Sequence, residues 1–114
     1  MTTINHKMIF KNLTPHALTV LDANGEEAIF LPEGAPARVT VKTVTRPELA
    51  GFRLQAQEFG QVEGLPEPQE GTIYIVSALV LAQCKGRPDV VAPDTGKDAI
   101  RKDGQIVAVR GFVQ

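Results

Sequence analysis

The chain has 114 residues, with 12 Lys and Arg against 13 Asp and Glu and a formal net charge of −1. That length fits one domain, residues 1–114, and the near-neutral charge excludes a broad basic surface of the kind that attracts DNA or an anionic membrane. No apolar run reaches 18 residues, so no membrane span is expected.

The segment MTTINHKMIF lacks the basic-then-apolar pattern of a secretory signal. A single cysteine, Cys84, leaves no internal disulfide. Both observations point to a cytoplasmic protein. Frequent Gly and Pro between short runs rich in Val, Ile and Thr indicate strands and turns.

Residues 7–12 (KMIFKN) read as a strand, followed by the turn Leu13-Thr14-Pro15-His16. Residues 17–22 (ALTVLD) and 26–31 form a hairpin about Asn24-Gly25, because Asn and Gly tolerate positive φ. Residues 32–36 break it. Residues 37–44 (ARVTVKTV) alternate in the manner of a half-buried strand. Residues 46–51 read as a connector. Residues 52–63 make one bent strand or two, with Gly60 marking a bulge. Residues 65–71 are an acidic, proline-bearing loop.

Residues 72–76 (TIYIV) are apolar nearly throughout, as a central strand covered on both faces would be. Ser77 fits a helix N-cap, residues 78–84 a short helix packed on the sheet, and Gly86 its stop. Residues 89–92 read as a short strand. Residues 99–101 and 106–113 read as a closing hairpin turning at Asp103-Gly104. The expected class is α+β, mainly antiparallel β-sheet with one or two short helices packed on it.

Few side-chain patterns suggest chemistry. Asp94-Thr95-Gly96 spells the aspartic-protease triplet, but Pro93 precedes it where an apolar strand is needed. Lys97 follows it and would hold Asp94 ionised, against a shared-proton dyad. It reads as a turn in which Asp94 bonds its own backbone. His6, His16 and Cys84 match no zinc spacing, so no metal and no cofactor is expected. Cys84 reads as a small core residue.

Arg87 and Arg101 lie among interleaved aspartates. They are either surface ion pairs of little worth or forks that grip a phosphate while an aspartate orients them. The turn from residue 76 into the helix at Ser77 offers unpaired N–H groups to an anion.

The succession Asn12-Leu13-Thr14-Pro15-His16, Ala37-Arg38-Val39, Phe59-Gly60-Gln61-Val62-Glu63-Gly64-Leu65-Pro66, Gly71-Thr72-Ile73-Tyr74-Ile75-Val76-Ser77, Gly86-Arg87-Pro88-Asp89-Val90 and Arg101-Lys102-Asp103-Gly104 resembles a family of small phage- and prophage-borne proteins. Within it the chain is similar to the first type of Thoeris anti-defence protein. The resemblance implies a non-enzymatic, β-rich sponge in the cytoplasm of a bacterial host. It further implies that the protein assembles with itself as a dimer or higher oligomer and sequesters a cyclic nucleotide signal: cyclic ADP-ribose isomers, with cyclic oligonucleotides for some members.

On that reading Ser77, Arg87 and Arg101 meet phosphate. Asp89 orients arginine or bonds a ribose hydroxyl, and Asn12 and His16 stand at a pocket rim. Ser77 and Arg87, at opposite ends of one helix, would serve the same phosphate only with a second subunit. Two other readings stand beside it: a phage structural or regulatory interaction protein with no small-molecule ligand, and an enzyme that cleaves such a nucleotide.

Overall fold

The computed structural model describes residues 8–84 and 86–114. Strands β1 (Ile9–Asn12), β2 (Leu18–Leu21), β3 (Glu27–Phe30), β4 (Arg38–Leu49), β5 (Phe52–Glu63) and β6 (Thr72–Ile75) precede the one helix among the described residues, α1 (Ala78–Ala82). Strands β7 (Val90–Pro93), β8 (Ile100–Lys102), β9 (Gln105–Ala108) and β10 (Phe112–Val113) follow. The class is α+β, mainly β with one short helix.

The apolar run at residues 72–76 becomes the inner strand of a four-stranded sheet ordered β1-β6-β7-β10. Tyr74, Ile75 and Val76 are sealed from solvent. Strands β1 and β7 both run parallel to β6, and only β10 is antiparallel to its neighbour β7. The antiparallel pairs expected from the turn signals occur instead in three hairpins, β2–β3, β4–β5 and β8–β9. Parallel neighbours need a crossover, and α1 provides it between β6 and β7. Its Val80 packs with Leu13, Ala37, Tyr74, Val76, Cys84 and Val90 to form the core. Behind the sheet, Phe10, Phe30 and Phe112 cluster with ring centroids 5.3 to 6.1 Å apart.

Asn12 joins three elements. It is completely buried. Its Nδ2 donates to the carbonyls of His16 and Phe30 at 2.8 and 2.9 Å, while Oδ1 accepts from the Thr14 N–H and hydroxyl at 2.9 and 2.7 Å. Every hydrogen-bonding position of the amide is filled. The residue expected at a pocket rim is a structural tie between β1, the turn at residues 13–16 and β3.

Two expectations along the chain are corrected. Residues 46–49 continue β4 rather than leave it, and Ala50 and Gly51, with φ of 52° and 88°, make a two-residue turn into β5. The Arg-Pro-Glu sequence hid this, because proline is tolerated on an edge strand. Strands β4 and β5 therefore form an arm of 12 residues per strand, roughly 40 Å long. Its register slips twice: between Val39 and Val41, opposite Gly60, as a bulge there requires, and again between Arg46 and Leu49 near the tip. Second, residues 106–113 are not one strand: β9 ends at Ala108, and Phe112 and Val113 leave to pair with β7. Residue 7 of the first expected strand lies outside the described residues.

Replacing Asn12 by Ala leaves the Thr14 N–H and the carbonyls of His16 and Phe30 without their partner. The variant should lose about 3 kcal/mol of stability in urea unfolding, whereas a loss below about 1 kcal/mol would show that the network is dispensable.

Candidate functional site

Ser77 enters α1 with extended backbone, φ −70° and ψ 160°, and its Oγ accepts the N–H of Val80 at 3.2 Å. This is the expected N-cap. The helix is one and a half turns long, so a single hydroxyl cap serves much of its first turn. Val80 and Cys84 turn inward, whereas Leu79 remains 44% exposed, so the helix is less enclosed than its apolar sequence implies. Burial pushes the Cys84 thiol up, only partly offset by the nearby Arg87 charge. A buried thiol of raised pKa is a poor nucleophile at neutral pH.

Gly86, at φ 88°, turns the chain back beneath the helix and delivers Arg87 to the edge of the core. The Arg87 guanidinium forks onto Asp89: Nε donates to Oδ1 at 2.8 Å and Nη2 to Oδ2 at 2.9 Å. Nη2 also donates to the carbonyl of Pro66 at 3.0 Å. Tyr74, from β6, donates its hydroxyl to the Glu67 carbonyl at 3.2 Å. The acidic loop at residues 65–71 is thus fastened to the body at two successive carbonyls. The hydrogen bonds from Arg87 hold the Asp89 carboxyl below the usual carboxylate range, and the same bonds raise Arg87 above its ordinary value. Among the described residues Nη1 has no partner, so one edge of the guanidinium faces outward.

Arg87 lines three hollows, two of which lie against α1. One, of about 350 Å³, runs along α1 between Ala78, Leu81 and Ala82 on one side and Gly86, Arg87 and Gln114 on the other. The second, about 490 Å³, lies between α1 and the base of the arm, against Gly60, Gln61, Val62 and Leu65. Cys84 and Arg87 form the wall common to both. The first is mostly apolar and at the small end of ligand-site volumes. Ala78, in the first turn of α1, and Arg87, beyond its end, line one hollow, whereas Ser77 is not among the residues that line it.

The other candidates lie elsewhere. Arg101 donates to the carbonyls of Thr95 and Gly96 at 3.3 and 3.5 Å, bracing the turn in which the Gly96 N–H bonds Asp94 Oδ1. His16 is exposed at a tight turn and offers its carbonyl, not its ring, to Asn12. Arg87 and Asp89 are the two candidates whose side chains are brought into contact; Asn12 and His16 meet only through the Asn12 amide and the His16 carbonyl. Leu81 and Gln114 were missed, and no local signal marks them. Gln114 reaches the site because its amide donates to the carbonyls of Pro88 and Val90 at 2.6 and 3.2 Å. Among the described residues no His, Cys, Asp and Glu gather in a metal-binding group, and no helix is long and apolar enough to cross a membrane.

Comparison with protein-family models, curated proteins and solved structures found no match.

Folding lowers the Asp89 pKa, so this pair contributes stability above the ordinary carboxylate range and loses it as the pH falls below about 4. The variants Arg87→Ala and Asp89→Asn should each flatten the wild-type decline of stability between about pH 4 and 2, measured by urea unfolding. An unchanged slope would mean that the pair is not formed in solution. Arg87→Ala should also speed limited proteolysis at residues 65–71, because it removes one of the two side-chain hydrogen bonds that fasten the loop.

Proposed function

We propose that this chain is a non-enzymatic binding protein that holds a cyclic nucleotide signal in the hollow along α1. It acts by sequestration in the cytoplasm of a phage-infected bacterium. One observation carries the reading: a guanidinium locked by Asp89 and the Pro66 carbonyl, with Nη1 directed away from both, at the rim of a mainly apolar hollow. A base or ribose face would lie against Ala78, Leu81 and Ala82, and a phosphate oxygen would take the outward edge of Arg87. A pre-set fork loses little side-chain freedom on binding. Asp89 orients Arg87 in this scheme, and Ser77 holds the helix start that forms one wall.

The electrostatics set a bound. The charge of Arg87 is already balanced by Asp89, so attraction at a distance is weak and affinity must come from close contact. A ligand of roughly 35 heavy atoms at about 0.3 kcal/mol each reaches about 10 kcal/mol, a Kd on the order of tens of nanomolar. Such a value requires most of the ligand to be covered, and both hollows beside Arg87 would have to contribute. Sequestration by assembly with a second copy, with Arg101 or His16 supplied from elsewhere, extends the same reading.

A second reading, a phage interaction protein without a small-molecule ligand, is favoured by a different observation. The arm exposes Leu49, Phe52 and Leu54 to solvent, at 63, 75 and 38%.

Isothermal titration with cyclic ADP-ribose isomers and with cyclic di- and trinucleotides separates the two. The binding reading expects saturable heat at micromolar protein for at least one of them, and a loss of roughly 30-fold or more in Arg87→Ala, the worth of a charged hydrogen bond. Bound ligand should slow alkylation of Cys84 and should be recovered with unchanged mass after heat denaturation. Absence of heat with every nucleotide would sink the proposal, and a changed mass would convert it to an enzyme.

A further inference from the structure

Over the whole chain, residues 1–7 included, the accessible surface is 8317 Å² for 12.3 kDa. A compact monomer of that mass exposes about 6,100 Å². The radius of gyration is 17.1 Å, against about 13 Å for a compact chain of this length. The excess area, on the order of 2,000 Å², is larger than the roughly 800 Å² that each partner buries in a stable interface. Among the described residues the arm is the main source, since nearly every residue of β4 and β5 is exposed or half-buried. A two-stranded hairpin without cover is marginal in water.

The register sorts the arm's side chains by face. Arg38 stands opposite Glu63, Lys42 opposite Glu58, Val44 opposite Ala56, Arg46 opposite Leu54 and Leu49 opposite Phe52. Arg46 to Leu49 along β4 and Glu58 to Glu63 along β5 are odd steps, but a bulge lies in each interval and restores the facing, so all of these share one face. On it, β4 carries a column of cations and β5 carries the two carboxylates near the base, and the tip is apolar. The opposite face rests on the body at its base, where Val39 and Val62 pack against the core. The charged face is therefore the one opposite that contact, and its side chains are exposed apart from the half-buried Val44 and Ala56. Within the chain its charges are poorly satisfied: the one ion pair on the arm, Arg46 to Glu58, is 3.9 Å long and about half exposed.

We propose that this face pairs with the same face of a second copy, the two arms lying side by side about a two-fold axis that runs along their length. That symmetry sets β4 of one chain over β5 of the other. Lys42 then meets Glu58 of the second copy, Arg38 meets its Glu63, and the Leu49 and Phe52 tips close on each other. Two stacked two-stranded ribbons about 10 Å apart form a small sandwich. A partner of uniform charge, such as nucleic acid or an anionic membrane, would oppose one of the two columns, whereas a second copy complements both. The inference stands apart from the ligand reading and uses no nucleotide in its test.

Sedimentation equilibrium of the purified chain at tens of micromolar should give twice the 12.3 kDa chain mass, and the double variant Leu49→Ser, Phe52→Ser should give one chain mass with unchanged circular dichroism. Lys42→Glu and Glu58→Lys should each be monomeric alone. When mixed they should form a mixed dimer, because each then faces an opposite charge only across the interface. A monomeric wild-type chain, a tip variant that still dimerises, or a mixture of the two charge variants that stays monomeric would each overturn the proposal.

Discussion

The structure depends on the covering of β6. Its residues are apolar toward both faces, so layers are needed on both sides, and its backbone groups need partners along both edges. The parallel neighbours β1 and β7 meet the second demand: the N–H groups of Leu13, Tyr74 and Val76 bond carbonyls across the sheet at 2.8 Å. The core around Val80 and the aromatic cluster of Phe10, Phe30 and Phe112 meet the first. The rest of the chain is routed by this requirement. The helix α1 is the shortest crossover that returns the chain parallel to β6, and the excursion from β2 to β5 is what remains after β1 has been placed beside it.

The candidate site is a by-product of that crossover. A helix of one and a half turns cannot carry the chain far, so a sharp reversal at Gly86 is required, and the next side chain, Arg87, falls at the seam between the core and the acidic loop. There it has a structural task, holding Asp89 and the Pro66 carbonyl, and among the described residues its Nη1 has no partner. The same guanidinium thus serves stability and is available for recognition. A fork that is already immobilised binds an anion with less loss of conformational freedom than an unconstrained surface arginine does.

The arm answers a different physical demand. The body is built from strands that cover one another, while β4 and β5 run out with two faces and two edges in water. Charged side chains along such an arm protect it from indiscriminate edge pairing, and on one face Arg38, Lys42 and Arg46 of β4 stand beside Glu58 and Glu63 of β5. A small chain that cannot enclose all of its apolar surface can obtain the missing cover from a second copy.

Much of the fold was legible in the residues. The buried strand at 72–76, the N-cap at Ser77, the hairpins at Asn24-Gly25 and Asp103-Gly104 and the bulge at Gly60 all follow from local rules of polarity, capping and positive φ. The proline in β4 hid the length of the arm, because its tolerance on an edge is a property of the neighbours it lacks. Asn12 and His16 belong to a motif that looked like a recognition element, yet the amide of Asn12 is consumed by four internal bonds. Arg87 and Asp89 were legible as a pair because a single residue, Pro88, separates them in a stiffened stretch. The Pro66 carbonyl, Leu81 and Gln114 were not, since they come from three separate places in the chain. Local sequence determined which segments are strands, where they turn and which arginine could be oriented. The tertiary structure alone decided that the central sheet is largely parallel, that Ala78 and Arg87 border one hollow and that the charges of the arm share a face. Strand order and register are set by long-range pairing and burial, and no local pattern of residues encodes them.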